Sequence, residues 1–281
     1  MALFMWIDIG SGTSNGVITE DGKLLAYHLL TSGVNYKQTA QKIRDELLEK
    51  AKLRPEDISF TVATGQGANN VVFSNQQVAD IRCCARGINQ IFPLVKMVID
   101  VQGQSSQVIR VDEHGHITNF AVSEKCASGS GHFLEVIANI LQMPLEDIGA
   151  FSLRSSNPVV FSTSCAVFGE SEAVSRVAEG ASKEDILAGV NKALAEKLAA
   201  LAHRVGLEEP CAMSGGAALN IGLVKKVEEK LGIHLLVPPQ PQFVTALGAA
   251  ILAKEESTKP VTLVQAKPDH SSVSLEEPDI L

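Results

Sequence analysis

DIGSGTS, residues 8–14, closes the apolar run ALFMWIDIG, and DVQGQSSQ, residues 100–107, closes a second such run, VKMVIDV. Each reads as a buried strand that ends on an aspartate and turns on glycine into another strand. A third glycine turn, MSGGAALN at 213–220, again follows a short apolar run. How these three turns relate decides the fold.

Working outward from the first turn, SNGVITE (14–20) and KLLAYHLL (23–30) continue as an antiparallel meander. Ala40, Ile43, Leu47 and Ala51 then recur at helical spacing, Pro55 stops the pattern, and ISFTVATG (58–65) returns as a strand. The series restarts at VKMVIDVQG, runs through QVIRVDEHG and HITNFAVS, and passes into helices, the longest at about 184–205 with Ile186, Val190, Leu194, Leu198, Leu201 and Val205 on one face. The same plan occurs twice, so the expected fold class is α/β, with two duplicated domains facing each other across a cleft and the hairpin turns at that cleft. The expected division is 1–94 for the first half, joined by a return helix at 244–256, and 95–243 for the second. Residues 257–281, with three prolines and no period, are expected to form a flexible tail.

Composition narrows the function. Twenty-four Lys and Arg stand against 32 Asp and Glu, a net charge of −8 with no basic block, which excludes an electrostatic nucleic-acid surface. No apolar run reaches the roughly 18–20 residues of a membrane span, and the opening MALFMWIDIG has neither a basic n-region nor a cleavage site. A cytoplasmic protein is expected. Five cysteines, Cys83, Cys84, Cys126, Cys165 and Cys211, are irregularly spaced and odd in number, which argues for reduced thiols over a disulfide scaffold.

The three turns carry the chemistry. Glycine lets backbone N–H groups approach phosphate oxygens, Ser and Thr hydroxyls add donors, and aspartates at strand ends can hold the waters that Mg²⁺ keeps. Together they describe an ATP clamp. No G-x-x-x-x-G-K-S/T occurs, and no G-x-G-x-x-G opens a helix after a strand, so neither a P-loop nor a Rossmann site is indicated.

In this order, DIGSGTS, DVQGQSSQ and SGGAALN, closing with TALGAAILA, the chain resembles the actin, sugar kinase and Hsp70 ATPase superfamily, whose domains are RNase H-like. ATGQG, EKCASGSGHFLEVIA and STSCAVFGESEAV resemble, within it, the ATP-hydrolysing activator and electron-transfer family of 2-hydroxyacyl-CoA dehydratases and benzoyl-CoA reductases. The resemblance covers residues 3–255. It implies that Asp8 and Asp100 organise Mg²⁺ and its water and that Gln104 orients the attacking water. Gly10, Ser11, Gly12, Thr13 and Ser14 would cradle the phosphates from one side and Gly103 from the other, with Gly215, Gly216 and Asn220 bordering the adenosine. The chain departs from the resembled pattern where Asn15 replaces a lysine and where residues 102–107 replace a G-G-Q-D-S-K run.

Cys126 and Cys165 each precede a helix start, where the helix dipole and free N–H groups favour a thiolate. On residue chemistry alone a small buried hydrophobe remains an alternative for each. The resemblance implies instead that both are metal ligands, two from each chain of a dimer holding one 4Fe–4S cluster. Cys83, Cys84 and Cys211 lack that setting and read as structural, as does His132 as a surface residue.

The implied activity is ATP-driven transfer of low-potential electrons from the shared cluster to an iron–sulfur reductase or dehydratase that acts on a CoA thioester. The implied assembly is a homodimer or paralogous heterodimer fed by a ferredoxin- or flavodoxin-like reductant. CASGSG and the altered second turn lean towards the ATP-binding subunit of a benzoyl-CoA reductase. A dehydratase activator is the alternative; a small-molecule kinase of the same fold and a non-catalytic ATP sensor are more distant ones.

Overall fold

The structure, a computed structural model, describes residues 2–20, 23–123, 130–161 and 166–257. Cys126, Cys165 and the tail beyond Ser257 lie outside the described residues. Within them the duplication is explicit in the two five-stranded sheets.

In the first sheet β1 (Leu3–Ile9) pairs antiparallel with β2 (Thr13–Glu20) and β2 with β3 (Lys23–Thr31), while β4 (Phe60–Thr64) and β5 (Gln76–Gln77) extend it in parallel, giving the order β3-β2-β1-β4-β5. In the second, β6 (Met97–Val101), β7 (Ser106–Val111), β8 (Ile117–Ser123), β9 (Cys211–Ser214) and β10 (Leu235–Leu236) repeat this as β8-β7-β6-β9-β10. The α/β fold with two mixed sheets follows the sequence-based expectation.

Both central strands are buried on two faces, which is why they read as nearly unbroken apolar runs. Met5, Ile7 and Ile9 pack under α1 (Tyr36–Ala51), whereas Phe4 and Trp6 face α8 (Val244–Ser257). Met97, Ile99 and Val101 face the large core built with α3 (Gly131–Ile140), α6 (Lys183–Val205) and α7 (Ile221–Leu231), while Val98 faces α2 (Asp80–Ile91). Short α4 (Ile148–Ser152) and α5 (Ala166–Ala178) complete the second lobe. Helix ends follow local rules: Asn35 caps α1 by accepting from Gln38 N at 3.1 Å, and Ser182 caps α6 by accepting from Asp185 N at 3.1 Å.

The two lobes meet at the crossing of α2 and α8. A Cβ on Gly87 would lie 3.0 Å from Gly248 N and overlap Val244 O; one on Gly248 would lie 2.6 Å from Gly87 N and overlap Cys83 O. The helices therefore touch through their main chains, an approach only glycine permits. Cys83 and Cys84, at the start of this crossing, diverge as neighbouring helical residues must: Cys83 enters the core of the first sheet and Cys84 that of the second.

Candidate active site

Strand register brings the chemistry together. On β1, Asp8 stands opposite Asn15 of β2 and Thr64 of β4; on β6, Asp100 stands opposite Gln107 of β7 and Ser214 of β9. The two halves thus place an aspartate, an amide and a hydroxyl at equivalent positions. Asn15 Nδ2 donates to Asp8 Oδ2 at 3.4 Å, Gln107 Nε2 to Asp100 Oδ2 at 2.9 Å, and Ser214 Oγ to Asp100 Oδ1 at 2.8 Å. Cys83 Sγ lies 3.9 Å from Thr64 Oγ1, and Cys84 Sγ 3.5 Å from Ser214 Oγ, so the diverging thiols buttress both hydroxyls.

A third carboxylate, overlooked in the sequence, completes the set. Asp80 opens α2, and Gln102 Nε2 bridges it to Asp100, 3.2 Å from Asp80 Oδ2 and 2.7 Å from Asp100 Oδ2. No phosphate-loop pattern marks Asp80; a lone acid at a helix start reads as a dipole partner, and only the fold carries it to the cleft.

Burial raises the Asp8 carboxyl to about 7, helped by the charges of Asp80 and Asp100 and opposed by the Asn15 hydrogen bond. Burial also raises Asp100, opposed by its bonds from Gln107, Gln102 and Ser214. Neutral amides stand where ammonium groups would hold both carboxyls down, so a cation is the missing complement. Asn15 is buried and its Oδ1 lacks a hydrogen-bond partner, a further acceptor beside Asp8. Among the described residues no three His, Cys, Asp or Glu side chains converge closely enough to ligate an ion directly. The donor set therefore fits an ion that keeps its waters, the habit of Mg²⁺.

The loops border these carboxylates. Gly10 packs against Thr13 O, while Gly12 faces open space. Behind them Ser32 Oγ donates to Gly10 O at 2.6 Å and pairs with Ser14 Oγ at 2.6 Å, so the Ser14 hydroxyl braces the loop from its buried side. Ser32 carries no motif signal. A Cβ on Gly103 would lie 3.5 Å from Ser11 Oγ, which places the first and second loops face to face. Gln104 is exposed at the turn tip. In the third loop Gly215 has φ +85° and packs on Val101 O, whereas Gly216 has nothing within 4 Å. Asn220 is committed elsewhere: it caps α7 by accepting from Leu223 N at 2.9 Å and donates to Asn191 Oδ1 at 3.0 Å. Gly65 of ATGQG, with φ +84°, packs so tightly on Asp8 that a Cβ would overlap Oδ1.

The second loop also holds α3. Gly131 N donates to Gln102 O and His132 N to Gly103 O, both at 2.8 Å. Helix α3, which follows the Cys126 segment in sequence, thus starts on the backbone of the second glycine loop. The other cysteines are inert by burial, which raises Cys83 and Cys211 to about 12 and Cys84 well above its ordinary value. His132 is exposed, 3.3 Å from Glu135.

Two lobes of like topology, joined by crossing helices and carrying glycine loops and strand-end aspartates, define a fold of the actin, sugar kinase and Hsp70 type. The chain belongs to the BadF/BadG/BcrA/BcrD ATPase family, whose model matches residues 6–253. It is 40% identical over 255 residues to the (R)-2-hydroxyglutaryl-CoA dehydratase activating ATPase of Acidaminococcus fermentans, covering 90% of this chain and 97% of that one. It is 37% identical over 254 residues to the 2-hydroxyisocaproyl-CoA dehydratase activator of Clostridioides difficile, covering 90% and 95%. A benzoyl-CoA reductase subunit of Thauera aromatica is 33% identical over 218 residues, 75% of this chain and 77% of that one. The crystal structure of the (R)-2-hydroxyglutaryl-CoA dehydratase component from Acidaminococcus fermentans superposes with a TM-score of 0.85 at 38% identity, covering 92% of this chain and 100% of that one. A ROK family glucokinase from Streptomyces griseus, at 13% identity and a TM-score of 0.57 over 90% of this chain and 100% of that one, shares the fold alone. The similarity to dehydratase activators is thus greater and longer than that to the reductase subunit, towards which the sequence leaned. Among the described residues no helix is long and apolar enough to cross a membrane.

Proposed function

We propose that the chain is the ATP-hydrolysing activator of a CoA-thioester dehydratase, working as a dimer that delivers low-potential electrons to its partner. The observation that carries this reading is the paired Asp8 and Asp100 cleft in a chain 40% identical, over 90% of its length, to a dehydratase activating ATPase. That similarity favours the dehydratase branch over a benzoyl-CoA reductase subunit.

In this reading Asp8 and Asp100 would hold a hydrated Mg²⁺, which would screen the phosphate charge of ATP, and Asp80 with Gln102 fixes the Asp100 carboxylate. Gly12 leaves space for phosphate oxygens, Gly103 faces it from the opposite lobe, and Gly216 borders the adenosine. Gln104, on its exposed turn, swings in to orient water when the lobes close. Cys126 and Cys165 of each chain in the dimer would together hold one 4Fe–4S cluster, which would supply one-electron chemistry. Because α3 begins on the Gln102 and Gly103 carbonyls, movement of the second loop on nucleotide turnover is transmitted to the helix that follows Cys126. The partner is an iron–sulfur dehydratase acting on a CoA thioester, and a ferredoxin- or flavodoxin-like protein supplies the electrons.

The test is anaerobic purification followed by iron and acid-labile sulfide analysis, EPR of the dithionite-reduced protein and an ATPase assay. About two irons per chain, a reduced-cluster signal lost in Cys126→Ser and Cys165→Ser, and turnover lost in Asp100→Ala would support the proposal. Iron-free protein that still binds ATP would sink it.

A further inference from the structure

On the face of the first sheet turned away from α1, the strands and α8 leave an apolar groove of about 930 Å³. Its floor is Phe4 and Val17, Leu24 and Tyr27 of β3 face Leu247 of α8, and Tyr27 meets Phe243, just before α8, edge-on with ring centroids 6.0 Å apart. Tyr27 is 56% and Leu24 58% exposed, and Leu247 is 39% exposed. Such a run of large apolar side chains on one face, next to an edge strand, calls for a cover. Among the described residues no strand pairs with the outer edge of β3.

We propose that residues 260–264 of this same chain, Pro-Val-Thr-Leu-Val, fill the groove. The exit point supports this: Ile251 and Glu255, in the last turns of α8, line one end of the groove, so the chain leaves the helix at its mouth. Proline cannot continue a helix, and in the sequence Thr258 and Lys259 separate Pro260 from the last residue of α8. The lengths agree. The groove follows α8 from Phe243 to Glu255, about 18 Å at the helical rise, and five or six extended residues span about the same. Period-two alternation sets Val261 and Leu263 on one face, towards the apolar floor. Thr19, Gln90 and Gln240 at the rim offer hydrogen bonds to an extended backbone. A linker this short holds the segment at an effective concentration of about millimolar, which suffices for a docking of modest intrinsic affinity. The docked segment covers parts of β1, β2, β3, α2 and α8 at once and so ties the first sheet to both helices of the lobe crossing.

Hydrogen exchange on the full-length chain tests this, because residues beyond the last helix can be altered without touching the core. In Val261→Asp/Leu263→Asp, amides of β3 and of the last two turns of α8 are expected to exchange roughly tenfold faster than in the parent. Ser271→Asp/Ser272→Asp, which adds the same charge further along, is expected to leave those amides unchanged. Equal exchange in all three proteins would overturn the proposal, as would equal acceleration in both variants. Protection in the parent that rises with protein concentration would overturn it in favour of a second copy seated in the groove.

Discussion

Asp8 and Asp100 end the central strands of two separate sheets at equivalent positions, each facing an amide across its antiparallel neighbour and a hydroxyl across its parallel one. Their surroundings differ in one respect. Among the described residues Asp100 receives three donors between 2.7 and 2.9 Å, whereas Asp8 has only the 3.4 Å contact from Asn15. Asp8 is therefore the weaker-held charge, with its carboxyl raised to about 7.

A pH dependence follows. Between the ordinary aspartate value and about 7 the metal-free folded protein holds a proton on Asp8 that the unfolded chain releases. The contribution of Asp8 to stability is therefore greatest at low pH, declines as pH rises towards 7 and is constant above it. Asp8→Asn removes that decline, and thermal unfolding without Mg²⁺ at pH 8 is expected to show a gain on the order of 1–3 kcal/mol, with loss of Mg²⁺-dependent ATP hydrolysis. In the parent, Mg²⁺ binding is expected to release a proton and to weaken as pH falls below 7; calorimetry in buffers of different ionisation enthalpy measures both.

Asn15→Lys puts an ammonium within reach of Asp8 Oδ2, where the amide now sits. The opposite charge should return Asp8 towards the ordinary range, moving the acid limb of the ATPase pH profile down by about one unit or more. An unmoved limb would show that Asp8 does not set it.

Gly248→Ala forces apart the main chains that touch at the α2–α8 crossing. Overpacking of this kind costs about 1–3 kcal/mol, read as a lower melting temperature.

Gly12→Ala and Gly216→Ala, by contrast, place a methyl group in open space. Both should melt like the parent without ligand yet bind ATP more weakly, about tenfold or more, because the methyl occupies ligand volume; equilibrium dialysis with labelled nucleotide distinguishes them from structural lesions.

Gln102→Glu replaces the amide that bridges Asp80 and Asp100 with a fourth carboxylate. Like-charge repulsion at this distance should cost hydrolysis at least about a hundredfold, while Gln102→Leu, which leaves the carboxylates unbridged but adds no charge, should cost less. Steady-state turnover at saturating Mg²⁺ and ATP gives the comparison.

The local features were legible because each is short-range. The strand–aspartate–glycine turns gave the strand ends at Asp8 and Asp100 and the glycine loops beside them, helical spacing gave α1 and α6, and the repeat of one plan gave the two sheets. DIRCCARG was legible as holding structural cysteines, since adjacent residues on a helix cannot face the same way. Asp80 and Ser32 were not legible as site residues, because neither belongs to a motif and their partners lie far away in sequence; Gly65, Gln102 and Ser214 lie inside quoted turns, but their contacts with the two aspartates depend on strand register.

The sequence by itself thus determined the elements, their duplication and the family, since periodicity and turn chemistry act over a few residues. Tertiary structure alone decided that Asp80 joins the strand-end aspartates, that Gly87 meets Gly248, and that α3 is pinned to the second glycine loop. Those relationships depend on strand register and helix crossing, which are settled by burying both faces of each sheet together and leave no local mark on the chain.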